Sequence, residues 1–156
     1  MPGGSARLSI VIDLQELTAD VRRLIPILDA MQVEIIELDR TTAAARIPAG
    51  PNVNHFGMAY AGSLFTVAEV LGGLFPRTSL AAEGGVPLVK RMEIDFLRPA
   101  ATDVVSRTSI TEDEIARILS EYDERGKADF ELATEVTDTA GTVVAATRGF
   151  YQLRRF

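Results

Sequence analysis

The sequence predicts an α+β fold in which a curved antiparallel sheet wraps around one long central helix. Two observations carry this. Residues 58–75, MAYAGSLFTVAEVLGGLF, read as a helix that is apolar nearly all round except for Glu69. A helix without a polar face must be enclosed on every side. Around it the chain runs helix, two strands, this helix, strand, strand, an amphipathic helix and two strands. Helices set apart from antiparallel strands in this way make an α+β domain.

The elements follow in order. The first ten residues read as a loose arm. Asp13 with Glu16 three positions on forms an acidic capping pair that opens a helix over about 13–25. Leu14, Leu17, Val21, Leu24, Ile25 and Leu28 keep helical spacing, and Pro26 breaks or kinks the run. VEIIELDR (33–40) and TTAAARIP (41–48) read as an antiparallel hairpin, and AGPNVNHFG (49–57) as a loop marked by Gly, Pro and Asn. The apolar helix stops at Phe75–Pro76. In VPLVKRMEIDFLRP (86–99), Lys90, Met92, Ile94 and Phe96 share one face of a half-buried strand, and Arg91, Glu93 and Asp95 the other. DVVSRTSI (103–110) is the next strand. TEDEIARILSEYDERG (111–126) is a surface helix with Ile115, Ile118, Leu119 and Tyr122 on its apolar face and Gly126 as its stop. KADFELATEVTD (127–138) and TVVAATRGFYQLRR (142–155) close the chain as a long hairpin. Its last strand, with no proline and one charge in VVAATRGFYQL, reads as an unprotected sheet edge.

Composition narrows the function classes. A chain of 156 residues, 47% apolar and 24% charged, suits one domain over residues 1–156 with a sizeable core. A net charge of −6 argues against a nucleic-acid binder, which would carry a basic stripe. With no cysteine there is neither a disulfide framework nor thiol chemistry. MPGGSARLSIVID lacks the long apolar run of a signal peptide, and no window approaches the roughly 18 apolar residues of a membrane span. The expectation is a cytoplasmic protein.

The chemically informative stretch is NVNHFGMAYAGSLFTVAEVLGG, residues 52–73. It sets the chain's one histidine, His55, between Asn54 and a glycine turn, and then places Glu69 deep in the apolar helix with no Lys or Arg within a turn. Read from the residues alone, Glu69 is either a working carboxylate or a glutamate reaching the surface from an incompletely buried helix.

Asn54, Gly57, the Ala61–Gly62 pair and Glu69 fall, without a gap, in the register of the hotdog-fold thioesterases. The stretch resembles in particular the branch with the phenylacetate-pathway (PaaI-like) enzymes. NHFGMAYAGSLFTVAE is most similar to thioesterases also known fused behind acetyltransferase domains, and IDFLRPA (94–100) resembles the family's next strand and Pro-Ala corner. The resemblance covers roughly residues 26–155. Two departures stand out. Tyr60-Ala61-Gly62 replaces the His-Gly-Gly of many relatives, and Val89 stands near where some carry a Ser or Thr.

The resemblance implies hydrolysis of an acyl-CoA or acyl-carrier-protein thioester. Glu69 would activate water, the Ala61 amide would hold the oxyanion and Asn54 would make a second polar contact. His55, Gly57, Tyr60, Gly62, Ser63 and Lys90 would line the substrate. No metal is implied, and no cofactor beyond the coenzyme A of the substrate. One carboxylate suffices for such chemistry, because a thiol leaving group of pKa ~8.5 hardly needs an acid. Arg98, Arg107, Arg154 and Arg155 are candidates for coenzyme A phosphates. Hotdog sheets commonly join edge to edge with the site at the joint, so at least a homodimer is expected, with pairs of dimers allowed. Two rivals stay open: a 3-hydroxyacyl thioester dehydratase pairing His55 with Glu69, and a non-catalytic acyl-CoA-binding domain.

Overall fold

The computed structural model describes residues 11–156; the arm expected over the first ten lies outside them. Asp13 caps helix α1 (Leu14–Leu24), its side chain accepting from the amides of Gln15 and Glu16. Pro26 ends that helix and opens a second, α2 (Pro26–Ala30), where the missing N–H of a first-turn proline costs nothing. Strands β1 (Glu34–Leu38) and β2 (Thr42–Ile47) form the first hairpin, followed by the central helix α3 (Ala61–Glu69). Then come β3 (Gly85–Phe96), β4 (Val104–Ser109), α4 (Glu112–Arg125), β5 (Lys127–Asp138) and β6 (Val143–Arg155).

The six strands form one antiparallel sheet in the order β1-β2-β4-β5-β6-β3, curved around α3 in the hotdog arrangement. Alternation decides which face is which. Ala128, Phe130, Leu132, Thr134 and Val136 of β5 point inward and are buried, while the residues between them are exposed. α4 packs its buried Ile115, Ile118 and Tyr122 against the sheet and stops at Gly126, whose φ of 70° is the left-handed turn a glycine makes without strain.

Three expectations change. The central helix is shorter than 58–75. Residues up to Tyr60 stay extended because Ala59 bridges Val53, Ala59 N–H donates to Ala100 and Tyr60 N–H donates to Asn52. Beyond Glu69 the backbone tightens into 3-10 turns, Val70–Gly73 and Phe75–Arg77, through a Gly72–Gly73 pair of low helix propensity. Next, α3 is enclosed on one side only. Ser63, Leu64, Val67 and Ala68 are buried, whereas Ala61, Phe65 and Glu69, four apart on the other side, retain exposure. Finally, VVAATRGFYQL is no edge: β6 pairs with β5 on one side and β3 on the other. Among the described residues the open edge is β3, which pairs there only with β6 and carries Pro87, a residue suited to an edge. The opposite edge, β1, is short and covered: Ile35 N–H donates to Thr18 Oγ1 of α1 at 2.9 Å.

The C-terminal turn of α3 ends inside the core, where its last carbonyls run out of helical partners. β4 supplies one donor. Ser106, fully buried, donates its hydroxyl to the carbonyl of Val67 at 2.6 Å. Replacing Ser106 by Ala removes that donor and should cost about 1–3 kcal/mol. The expected reading is a lower urea midpoint with an unchanged slope.

Candidate active site

Two half-sites lie at opposite ends of α3. At its start, the loop before the helix folds on itself: Asn54 N–H donates to Met58 O at 2.7 Å, and Gly57 N–H donates to Asn54 O at 3.0 Å. Gly57 makes this turn with φ at 77°, a conformation side chains with a Cβ rarely adopt. The Asn54 side chain accepts, through Oδ1, from the amides of Phe56 and Met58 at 2.9 and 3.2 Å. Its oxygen is thereby engaged, which leaves the Nδ2 group as the donor Asn54 can offer. Asn54 lines a cleft of about 300 Å³ together with Met58, Ala61, Leu64, Phe96 and Arg98.

The opening amides of α3 belong to the same end. Tyr60 caps the helix with no side-chain hydrogen bond. The first N–H groups of a helix have no intrahelical acceptor and favour negative charge. Ala61 has no positive φ, so Ala in place of the more usual Gly brings no backbone strain. The Tyr60 ring, exposed, lies over Gly62, where any Cβ would strike it.

Glu69 is eight residues further on, roughly 12 Å along the helix axis. It sits half-buried on the open side of α3, and burial pushes its carboxyl above the ordinary carboxylate range. Its backbone carbonyl accepts from the Tyr151 phenol at 3.0 Å. Burial and then the nearby Glu69 charge push the Tyr151 hydroxyl upward in turn. One chain therefore brings Asn54, Gly57, Ala61 and Gly62 together but sets Glu69 apart from them, against Tyr151.

The other predicted residues fall less simply. Lys90 does not share the inward face of Met92. A β-bulge between Val89 and Arg91 leaves Lys90 as the extra residue of β3, and it pairs with the exposed Asp129 of β5 at 3.0 Å, not with Glu69. Gln152 and then Lys90 hold the Asp129 carboxyl below its ordinary value. Ser63 is buried on the sheet side of α3, away from Glu69. His55 is exposed, its ring centre 3.9 Å from that of Phe56. Of the four arginines, Arg98 alone lines the cleft. Arg107 pairs with Glu37, Arg154 lies over Phe156 and Arg155 over Tyr122. Sequence reasoning missed Tyr151 and Ser106. Their one signal was inward register on β4 and β6, which Thr108 and Thr147 share.

A family model, the domain of unknown function DUF4442, matches residues 15–151. The chain is 30% identical to a Pseudomonas aeruginosa protein of unknown function, described as a probable thioesterase and known from a 1.5 Å crystal structure. That match covers 95% of this chain and 99% of the other, with a TM-score of 0.83. A protein of unknown function from Chlorobaculum tepidum is 20% identical over 91% of this chain and 94% of its own, with a TM-score of 0.81. A thioesterase from Haemophilus influenzae is 16% identical over 94% of each chain, with a TM-score of 0.71; these two likenesses show the fold. No curated protein sequence matches the chain.

The raised carboxyl of Glu69 has a measurable consequence for stability. A carboxyl whose folded value lies above its unfolded value favours the native state while protonated, and that contribution is lost as pH rises through the folded value. Glu69→Gln should therefore be more stable than wild type at neutral pH. The difference should shrink toward zero in acid, below the ordinary glutamate range, in paired urea titrations across pH.

Proposed function

The chain belongs to the DUF4442 family, within the hotdog thioesterase superfamily, and on that premise we propose that it hydrolyses acyl-CoA or acyl-carrier-protein thioesters with Glu69 as the base. The observation that carries this reading is Glu69 itself. It is a half-buried carboxylate with its affinity for a proton raised, on the open side of the central helix. A raised carboxyl is nearer the working range of a general base at neutral pH.

The chemistry then divides between the two half-sites. Glu69 takes a proton from water, and the hydroxide attacks the thioester carbonyl. The oxyanion is met by the Ala61 amide and Asn54 Nδ2, from two residues that line one cleft. The C–S bond breaks and the thiolate leaves without needing an acid, given a thiol pKa of ~8.5. Arg98, at the rim of that cleft, suits a coenzyme A phosphate.

Because Asn54 and Glu69 lie roughly two turns apart on one chain, a complete site needs two chains. The open edge of β3 is the place for the second. Among the described residues no strand lies on its outer side, and Val86, Val89, Phe96 and Leu97 along it are exposed, as are Tyr60 and Phe65. Joining two β3 edges about a two-fold axis would let the Asn54 loop of one copy meet Glu69 of the other.

Thiol release from a panel of acyl-CoA chain lengths tests the reading directly. Glu69→Gln should lower kcat by roughly 10²–10⁴, and Asn54→Ala by less, at most about 10²–10³. His55→Ala should stay within about tenfold, having no proton to move. Crotonyl-CoA hydration without thiol release would favour the dehydratase, and binding without turnover a sensor. In light scattering the protein should run as a dimer or larger. Inactive Glu69→Gln and Asn54→Ala chains, refolded together, should regain activity through mixed dimers that hold one intact site. A stable, active monomer would sink the shared site.

A further inference from the structure

Tyr151 sits on β6 with its ring wedged between α3 and the sheet, and the chain makes unusual room for it. A Cβ at Gly72, in the 3-10 turn after α3, would strike one edge of the ring. A Cβ at Gly149, two residues earlier on β6, would strike the other. The ring stacks on Phe130 with centres 5.4 Å apart, and its hydroxyl lies 3.7 Å from Met92 Sδ. Glycines on two separate elements thus clear space for one phenol, whose O–H donates at 3.0 Å to the carbonyl of Glu69.

That carbonyl belongs to the last residue of α3, where the helical hydrogen-bond pattern gives way to 3-10 turns. The core packs this junction through the buried Val70, Leu71 and Leu74, and the phenol adds the side-chain hydrogen bond that fixes the carbonyl of Glu69 itself. A glutamate has three side-chain torsions, so a small rotation of its backbone moves the carboxylate by a larger distance. We propose that Tyr151 is the positioning residue for Glu69, holding the helix junction so that the carboxylate points across the open β3 edge. This rests on the thioesterase reading and adds to it the group that aims its base.

The experiment compares Tyr151→Phe with Tyr122→Phe. Tyr122 also buries a phenol that donates to a backbone carbonyl, that of Glu83 at 2.7 Å, but on α4 and outside the site. Both variants lose one buried hydroxyl of the same kind, so a purely structural effect should touch them alike. Misplacing a catalytic group by about an ångström is enough to cost on the order of 10²-fold. For acyl-CoA substrates that wild type turns over, Tyr151→Phe should lower kcat about 10–100-fold with KM within about twofold. Tyr122→Phe should leave both within about twofold. In the same proteins, amide exchange at Val70–Gly73 should be about tenfold faster in Tyr151→Phe than in Tyr122→Phe. A Tyr151→Phe kcat within twofold of wild type, or unchanged exchange at Val70–Gly73, overturns the proposal. If wild type releases no thiol from any substrate, the thioesterase reading falls, and the exchange comparison alone decides whether Tyr151 holds Glu69 in place.

Discussion

A helix that ends inside a protein must find donors for its last carbonyls, and the structure around α3 is organised by that need. Val67 and Ala68 of this turn are fully buried, and an unpaired buried carbonyl costs about 1–3 kcal/mol. The sheet answers with hydroxyls on its inward face, Ser106 from β4 to Val67 and Tyr151 from β6 to Glu69. Both strands lie in the interior of the sheet, so both hydroxyls are held by strands paired on each side. The requirement reaches the glycines as well. Gly72 and Gly149 are small because the phenol that serves Glu69 occupies the space their side chains would take.

The same helix polarises the molecule. Its N-terminal end gathers unpaired amides and the Asn54 loop in a cleft, while its C-terminal end carries the proton-hungry carboxylate of Glu69. Helix geometry separates the two by about two turns, a distance no side chain on either end bridges. Ala61, Phe65 and Glu69 leave one side of α3 open, and β3 ends the sheet with exposed Val86, Val89 and Phe96.

Much of this was legible in the chain. Alternation in KADFELATEVTD, the Asp13 cap and the Gly126 stop each dictate a local geometry that the fold keeps. Asn54, Gly57 and Ala61 could be grouped from the sequence because the turn and the helix start join them within eight residues. Lys90 could not be placed, because a bulge shifts the register by one residue and a period-two pattern has no way to announce it. The end of α3 was overrun for a related reason: Val70 and Leu71 continue the apolar pattern while the backbone has already changed its hydrogen bonding. Tyr151 was invisible for another. Its partner is a backbone carbonyl, and a carbonyl leaves no mark in the sequence. The edge was misassigned because strand order is a property of the whole sheet. Nothing within VVAATRGFYQL says that it lies between two neighbours.

Among the described residues, one edge of the sheet is met by α1 and the other, β3, has no strand beside it. In the language of polymer chemistry such a chain is monofunctional: it has a single reactive end. Joining two of them at that end consumes both and leaves no site from which to add a third. Growth through sheet edges would then end at a pair, so a single open edge guards against the fibrous stacking that a sheet bare at both edges would invite.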